Sequence, residues 1–433
     1  MATYGDFPGV KITTVGGGIA GVQVGDQEKL FVVGVGDPSV ENAAPVEEPT
    51  TINSRRDADR KFGTDTELSD AVKDALGNGA NMDYVYGVML DVVSGNTESF
   101  AGTATGVLSN VPHEYGSFSA QDTVAAGSVT VNKVYESPPS APSEGINLNP
   151  NTGEFTAASS SDYDITYDYP QYENAFDSID VDILENETAI IAAIDESENV
   201  AAQLSSAVTS LRRNFKFAQG VTGAEPNSTA EDGTPRIDAA AYDDQIDSDA
   251  MYLAGPSRLE YRDRNAIGGL SGLMAGHGII EPIYNDSLNA FAGLEQRISS
   301  TDAGQLRQKQ VMPLQQQGSI RVKDNTSTST ETDWERDFWR RRIVDRVIIL
   351  AKQVGDSTVG RINNEDNRQL LKEMLEIQLE FMVDDSLLEP NTEDETKWFV
   401  DVYQMSSDQV GVDIGITPEG IIKRVEVTIT VNT

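Results

Sequence analysis

Four short, almost wholly apolar runs constrain this chain most: Leu30–Val35, Tyr84–Val93, Thr188–Ile194 and Met251–Ala254. A strand with one wet face alternates polar with apolar residues. A run that does not alternate is buried on both faces, as in a parallel sheet covered by helices on each side. Helical patterns lie between these runs. Arg56–Gly79 holds two helical stretches, the second placing Leu68, Val72, Ala75 and Leu76 on one face before a Gly-Asn-Gly stop. Val200–Arg212 is an Ala-rich helix and Asn265–Ala275 a small-residue helix. Strand, helices and strand in that order predict a parallel α/β unit.

That texture breaks at Ser94 and resumes after Pro170. In between, Gly, Ser, Thr, Asn and Pro are dense, and short alternating runs such as Val129–Val134 and Asp164–Tyr169 read as strands joined by turns. The segment reads as a β-domain inserted into the α/β unit. The chain of 433 residues is long enough for several domains. Five parts are expected: an N-terminal arm over 1–22, an α/β domain over 23–93 and 171–280, the inserted β-domain over 94–170, a C-terminal α+β domain over 281–420 and a strand arm over 421–433. The fold class is mixed α/β.

In the C-terminal part, Thr332-Asp-Trp-Glu335 has the form of a capping box opening a long helix, with Trp339, Ile343, Val347, Leu350 and Val354 on its buried face. A second amphipathic helix from Glu365 carries Leu370, Met374, Ile377 and Phe381 at helical spacing. Val410–Ile416 alternates as a strand does. Val425, Val427, Ile429 and Val431 then put one apolar face on a final strand, and Val10, Ile12 and Val15 give an extended arm at the other end. Strands this regular need a sheet to join, and a neighbouring copy can supply it.

Asp and Glu total 70 against 32 Lys and Arg, a net charge of −38 spread along the chain. Such a surface repels itself in dilute buffer and is screened in molar salt, which points to a saline medium. Nucleic acid is not an expected partner, because phosphate binding needs a basic face. No run reaches the ~18 apolar residues of a membrane span, and the opening MATYGDFPGV lacks a charged then apolar leader. A soluble chain made without an export signal is expected. With no cysteine and two histidines, His113 and His277, thiol chemistry, a His-based triad and a His-rich metal site are excluded.

Gly16-Gly-Gly18-Ile-Ala-Gly21 matches a dinucleotide fingerprint, with Asp37 after the next strand. The chemistry needs a helix after the glycines and a crossover of a dozen or more residues, and only Val22–Lys29 is available. The motif reads as a connector, and a salt-adapted NAD(P)-dependent oxidoreductase is kept as the rival reading. Gly268-Gly-Leu-Ser-Gly272 only imitates a nucleophile elbow. Asn147, Asn149 and Asn151 have alternate spacing but lack the charge and Gly of a calcium loop. No catalytic residue, cofactor or metal is expected. The one basic exception is Arg336, Arg340, Arg341 and Arg342, interleaved with Trp334 and Trp339 on the long helix. These read equally as a core helix with snorkelling arginines and as a cationic contact with an acidic neighbour.

In order and texture these elements resemble contractile tail sheath proteins, which wrap the tail tube of contractile-tailed viruses and related injection machines. The likeness rests on Phe7-Pro-Gly-Val10, Leu30–Gly36, Thr51-Ile-Asn-Ser54, Leu68–Val72, Thr105–Pro112, Asn149–Gly153, Gly272–Gly276, Arg340–Arg346 and the C-terminal strands. It implies a tail-sheath-like fold, N- and C-terminal arms that add strands to neighbouring subunits, and a helical homo-oligomer. It also implies a tail tube protein inside, with baseplate and tail terminator proteins at the ends. The place of action would be a virion tail assembled in the host cytoplasm, here of a haloarchaeal virus, or the sheath of a cell-encoded injection system.

Overall fold

A computed structural model describes residues 28–420 apart from 111, 114–116, 135–138, 151–152, 180–187, 215, 225–245, 261–263, 278–281, 290–292, 331–336 and 393–394. Both arms, with Val10, Ile12, Val15, Val425, Val427, Ile429 and Val431, lie outside these residues, as do Gly16–Gly21, Trp334, Arg336 and Thr332–Glu335.

The first apolar run is β1 (Lys29–Gly34), followed by β2 (Thr50–Thr51), α1 (Arg55–Phe62), α2 (Glu67–Gly77) and β3 (Val85–Met89). Ser54 and Thr66 cap the two helices by accepting from Asp57 N and Ser69 N. β1 and β3 are parallel, with Val32 beside Gly87.

The inserted segment is a mostly antiparallel sheet on two long strands, with one parallel pair between its two short strands Val131–Lys133 and Ile146–Leu148. Its strands are β4 (Val92–Val107), β5 (Phe118–Asp122), β6 (Gly127–Val129), β7 (Val131–Lys133), β8 (Ile146–Leu148) and β9 (Glu154–Pro170). They lie in the order β6-β5-β9-β8-β7, with β4 also on β9. Ile146, Leu148, Phe155, Ile165 and Tyr167 form a small core of their own. Asn147 and Asn149 serve this sheet: Asn147 Nδ2 donates to Ser140 O, and Asn149 is fully buried with its N–H on Glu154 O. The insertion is fastened to the body at its root, where Gln171 N donates to Asp91 O, and by His113, whose Nε2 stands 3.6 Å from Glu67 Oε2.

The body then continues through α3 (Tyr172–Asp177), β10 (Thr188–Ala193), α4 (Glu198–Arg213), β11 (Phe217–Gly223), β12 (Met251–Gly255), α5 (Ile267–Gly276), β13 (Ser287–Leu288), α6 (Ser300–Gln308), β14 (Val311–Gln317) and β15 (Ser319–Val322). The nine-stranded sheet has the order β13-β15-β14-β12-β11-β10-β1-β3-β2, parallel from β14 to β3. Successive residues of β1 point to opposite faces, so Leu30 and Val32 join the core under α2 and α5, while Phe31 and Val33 join the core under α3 and α4. Each such side chain, removed from water on both sides of the sheet, contributes ~1.5–3 kcal/mol.

The glycines of Gly268–Gly276 belong to α5, not to a catalytic turn. Gly268, Gly272 and Gly276 lie against Ala71, Ala75 and Gly79, so close that a Cβ on Gly272 would come 2.2 Å from Ala75 O. The contact is bordered by Arg264, which reaches Asp70 at 3.1 Å and Asp74 at 3.2 Å.

The C-terminal part is α7 (Phe338–Thr358), α8 (Glu365–Asp384) and a hairpin of β16 (Phe399–Gln404) and β17 (Val410–Gly415). The long helix runs from Phe338 with Asp337 as its N-cap, whose carboxylate accepts from Trp339 N at 3.1 Å, and one expectation is corrected here. On α8 the buried stripe is Leu371, Leu375, Leu379 and Met382, one residue on from the expected one, and Ile377 and Phe381 are exposed. The cause is packing on two sides, against α7 and against the hairpin, which selects one of two adjoining apolar stripes.

Two consequences are testable. Gly272→Leu should overpack the α2–α5 contact and cost about 1–3 kcal/mol in denaturant unfolding. Gly304→Ala, in helix α6 with open space where a Cβ would go, should instead be neutral or stabilising by up to about 1 kcal/mol. Asp74 supplies the second, since burial pushes its carboxyl up to about 6, against the pull of Arg264. Between pH ~4 and 6 the folded chain then holds a proton that the unfolded chain has released, so this residue's contribution to stability falls as pH rises through that window. Asp74→Asn should gain up to about 3 kcal/mol on the wild type from pH 4 to 6, as read by urea unfolding across pH.

Candidate assembly interface

The arginine run on α7 faces inward. Trp339, Arg341 and Arg342 are buried and Arg340 is half-buried. At the centre is Asp345, fully buried. It takes a two-pronged contact from Arg212 at the end of α4, with Nη1–Oδ2 2.9 Å and Nη2–Oδ1 2.6 Å, and a second from Arg341, with Nε–Oδ1 3.1 Å and Nη2–Oδ1 2.8 Å. Arg341 also grips Asp249, just before β12. Arg342 reaches Glu28, just before β1, at 3.0 Å and His277 O at 2.9 Å, with its guanidinium 5.1 Å from the Phe338 ring. Arg341 and Arg342 are thus matched by acids within the chain, while Arg340 is half-buried.

Near the carboxyl ends of β1 and β10 lie three acids, Glu67, Asp195 and Glu196. Burial pushes the Glu67 carboxyl up, the nearby Asp195 adds to this, and His113 opposes it. Glu196 beside it accepts from Ser257 and from Arg258 Nε at 2.6 Å. Among the described residues there is no group of three or more His, Cys, Asp or Glu side chains arranged to hold a metal ion, and no helix is long and apolar enough to cross a membrane.

The surface that calls for a partner is the β16–β17 hairpin, whose role the sequence reading of Val410–Ile416 left open. Of its inner face, Val400, Val402 and Ile414 pack toward α8, and Val412 is exposed. On its outer face Phe399 is 51% and Tyr403 41% exposed, and their rings lie over Gly415 and Gly411 of the facing strand. Among the described residues both outer edges of this two-stranded sheet are unpaired, and a lone two-stranded sheet is marginal in water. The alternation of Phe399-Val-Asp-Val-Tyr403 was the signal that could have pointed to it.

With this geometry in view, the fold class is clear: a doubly wound α/β body, an inserted β-domain and a C-terminal helical pair carrying an incomplete sheet. Tail sheath proteins share this fold over their whole length. The helical sheath of the anti-feeding prophage in its contracted state matches with TM-score 0.60 at 14% identity, covering 98% of this chain and 99% of that one. The contracted sheath complex of an extracellular contractile injection system, PVC, matches with TM-score 0.59 at 12% identity over 99% and 98%. A sheath tail protein from Listeria innocua matches with TM-score 0.52 at 12% identity over 91% and 96%. No family model and no curated protein sequence matches the chain.

The buried cluster makes a sharp prediction. Asp345→Asn leaves Arg212 and Arg341 without their shared counter-charge and should cost about 3–5 kcal/mol in denaturant unfolding, whereas Arg340→Ala should change stability by less than about 0.5 kcal/mol.

Proposed function

We propose that this chain is the repeating subunit of a contractile tail sheath, polymerising helically around an inner tube and shortening to drive that tube through an envelope. The observation that carries the reading is the end-to-end likeness in fold to sheath subunits, together with a hairpin whose outer edges are both unpaired among the described residues. The arms would complete that hairpin in neighbouring copies. Val10, Ile12 and Val15 at one end and Val425–Val431 at the other have strand periodicity, and β-augmentation links subunits through backbone bonds that persist while the bodies rotate. Contacts of this head-to-tail kind do not close and so generate a helix. Contraction would draw on the better-buried contacts of the shortened lattice, with no nucleotide consumed.

In this reading the subunit is not an enzyme and binds no nucleic acid. Its partners are its own copies, a tail tube protein, and baseplate and tail terminator proteins, and its place is a virion tail assembled in the host cytoplasm. The net charge of −38 favours a saline host, in keeping with a haloarchaeal virus. A second reading, the sheath of a cell-encoded injection system, is favoured by the origin of two of the similar structures, the anti-feeding prophage and an extracellular injection system. The outward task of the subunit is the same in both.

Electron microscopy of the purified chain in molar potassium chloride tests the proposal. Hollow striated tubes are expected, alone or on adding the tube protein, and deletion of residues 1–15 or of 422–433 should leave a folded monomer that forms none. Compact particles under every condition, with the tube protein present, would refute it.

A further inference from the structure

Where the inserted sheet meets the body, the contacts are polar and ionisable. In the loop after β4, His113 N donates to Asp168 O at 2.7 Å, and the His113 ring stands 3.6 Å from Glu67 at the start of α2, the two side chains only 16% and 12% exposed. Asn110, earlier in the same loop, lines a cleft of about 250 Å³ with Tyr169 and Gln171 on one side and Asp195, Asn199 and Gln203 on the other. Glu154, at the start of β9, is near enough to Glu198, at the start of α4, for the two carboxylates to repel.

We propose that this joint is a pH-sensitive latch: with His113 protonated the inserted sheet is held against the body, and with His113 neutral it is free to swing about its two-stranded root.

The root is narrow. Val92 pairs with Pro170 and Val93 with Tyr169, and Gln171 N donates to Asp91 O. The register then slips between Val93 and Asn96, where Gly95 takes φ +69° and gives its N–H to Asp168 Oδ1. An irregularity of this kind breaks the ladder locally and bends the strand. The angle of the sheet is therefore set by what its loops touch.

What they touch is largely acidic. Glu67 comes from α2, Glu173 from α3, Asp195 and Glu196 from the loop after β10, Glu198 from α4, and Glu98, Glu154 and Asp168 from the inserted sheet. Glu196 is held by Arg258 at 2.6 Å, Glu98 accepts from Ser109 N at 3.0 Å, and Asp168 accepts from the N–H groups of Gly95 and Ser117. Arg258 being committed to Glu196, His113 is the group that can set a positive charge beside Glu67.

Every proton taken up here acts in the same direction. Burial pushes the Glu67 carboxyl up against the pull of His113, and burial followed by the charge of Glu154 pushes Glu198 up. Both acids hold protons more tightly in the closed joint than in water, so their contribution to closure is lost as pH rises through the closed-state values. A charged ring beside Glu67 also favours closure, and that charge is lost above the histidine range near ~6.5. Acid closes the latch and base opens it.

The test uses the full chain, which has no cysteine. Met82→Cys and Val124→Cys put one spin label on the body and one on the turn after β5, both at exposed positions. Pulsed dipolar distance measurement is made in molar potassium chloride, where buried charges still interact, with labelled chain diluted into unlabelled. One narrow distance is expected at pH ~5.5 and a broad distribution at pH ~8.5, with a midpoint near ~6.5. His113→Lys keeps its charge across this range and should stay narrow throughout, whereas His113→Gln should be broad throughout with an unchanged circular dichroism spectrum. His277→Gln, at the other histidine, whose ring stands 3.5 Å from Asp286, should behave as the wild type. A wild-type width that does not change with pH, or a pH dependence that survives His113→Gln or vanishes with His277→Gln, would overturn the proposal.

Discussion

The structure depends on one fully buried carboxylate. Asp345 is shared between Arg212 from the α/β body and Arg341 from its own helix, and with the Arg342–Glu28 pair it joins α7 to the start and middle of the central sheet. Burying so many charges is favourable only because each is matched and hydrogen-bonded, and an apolar contact of the same size could be as stable. What the ionic arrangement adds is direction. Five charged groups from elements far apart in sequence fit together in one relative orientation, which a greasy contact would leave free to slide.

The same cluster accounts for the character of the surface. The chain has few cations, and Arg212, Arg258, Arg264, Arg341 and Arg342 are all turned toward internal acids. The remaining exterior is acidic almost everywhere. Broad charge complementarity between copies is therefore not available to the assembly proposed above, which leaves backbone pairing and apolar burial to hold it.

Much of the architecture was legible in sequence because it follows from local pattern. The uninterrupted apolar runs mark strands buried on both faces, and Gly, Ser and Thr density marks the insertion. What was not legible depends on partners far along the chain. Arg342 meets Glu28, and Arg212 meets Asp345; no window around Arg340–Arg342 contains the former, so a buried clasp and an exposed cationic patch looked alike. On α8, two apolar stripes one residue apart both obey helical spacing, and only the placement of α7 and the hairpin decides that Leu371 and Leu375 go inside while Ile377 and Phe381 stay out. The N-cap of α7 is another such case: Asp337 is held by Asn325, whose Nδ2 donates to Asp337 Oδ1 at 2.7 Å, a partner twelve residues away that helical spacing does not show.

The hairpin shows how an unfinished sheet can be kept soluble. Its exposed aromatics cover facing glycines, which supplies cross-strand packing without presenting a continuous apolar face. Its central outer positions are aspartates, which penalise a second hairpin of the same kind.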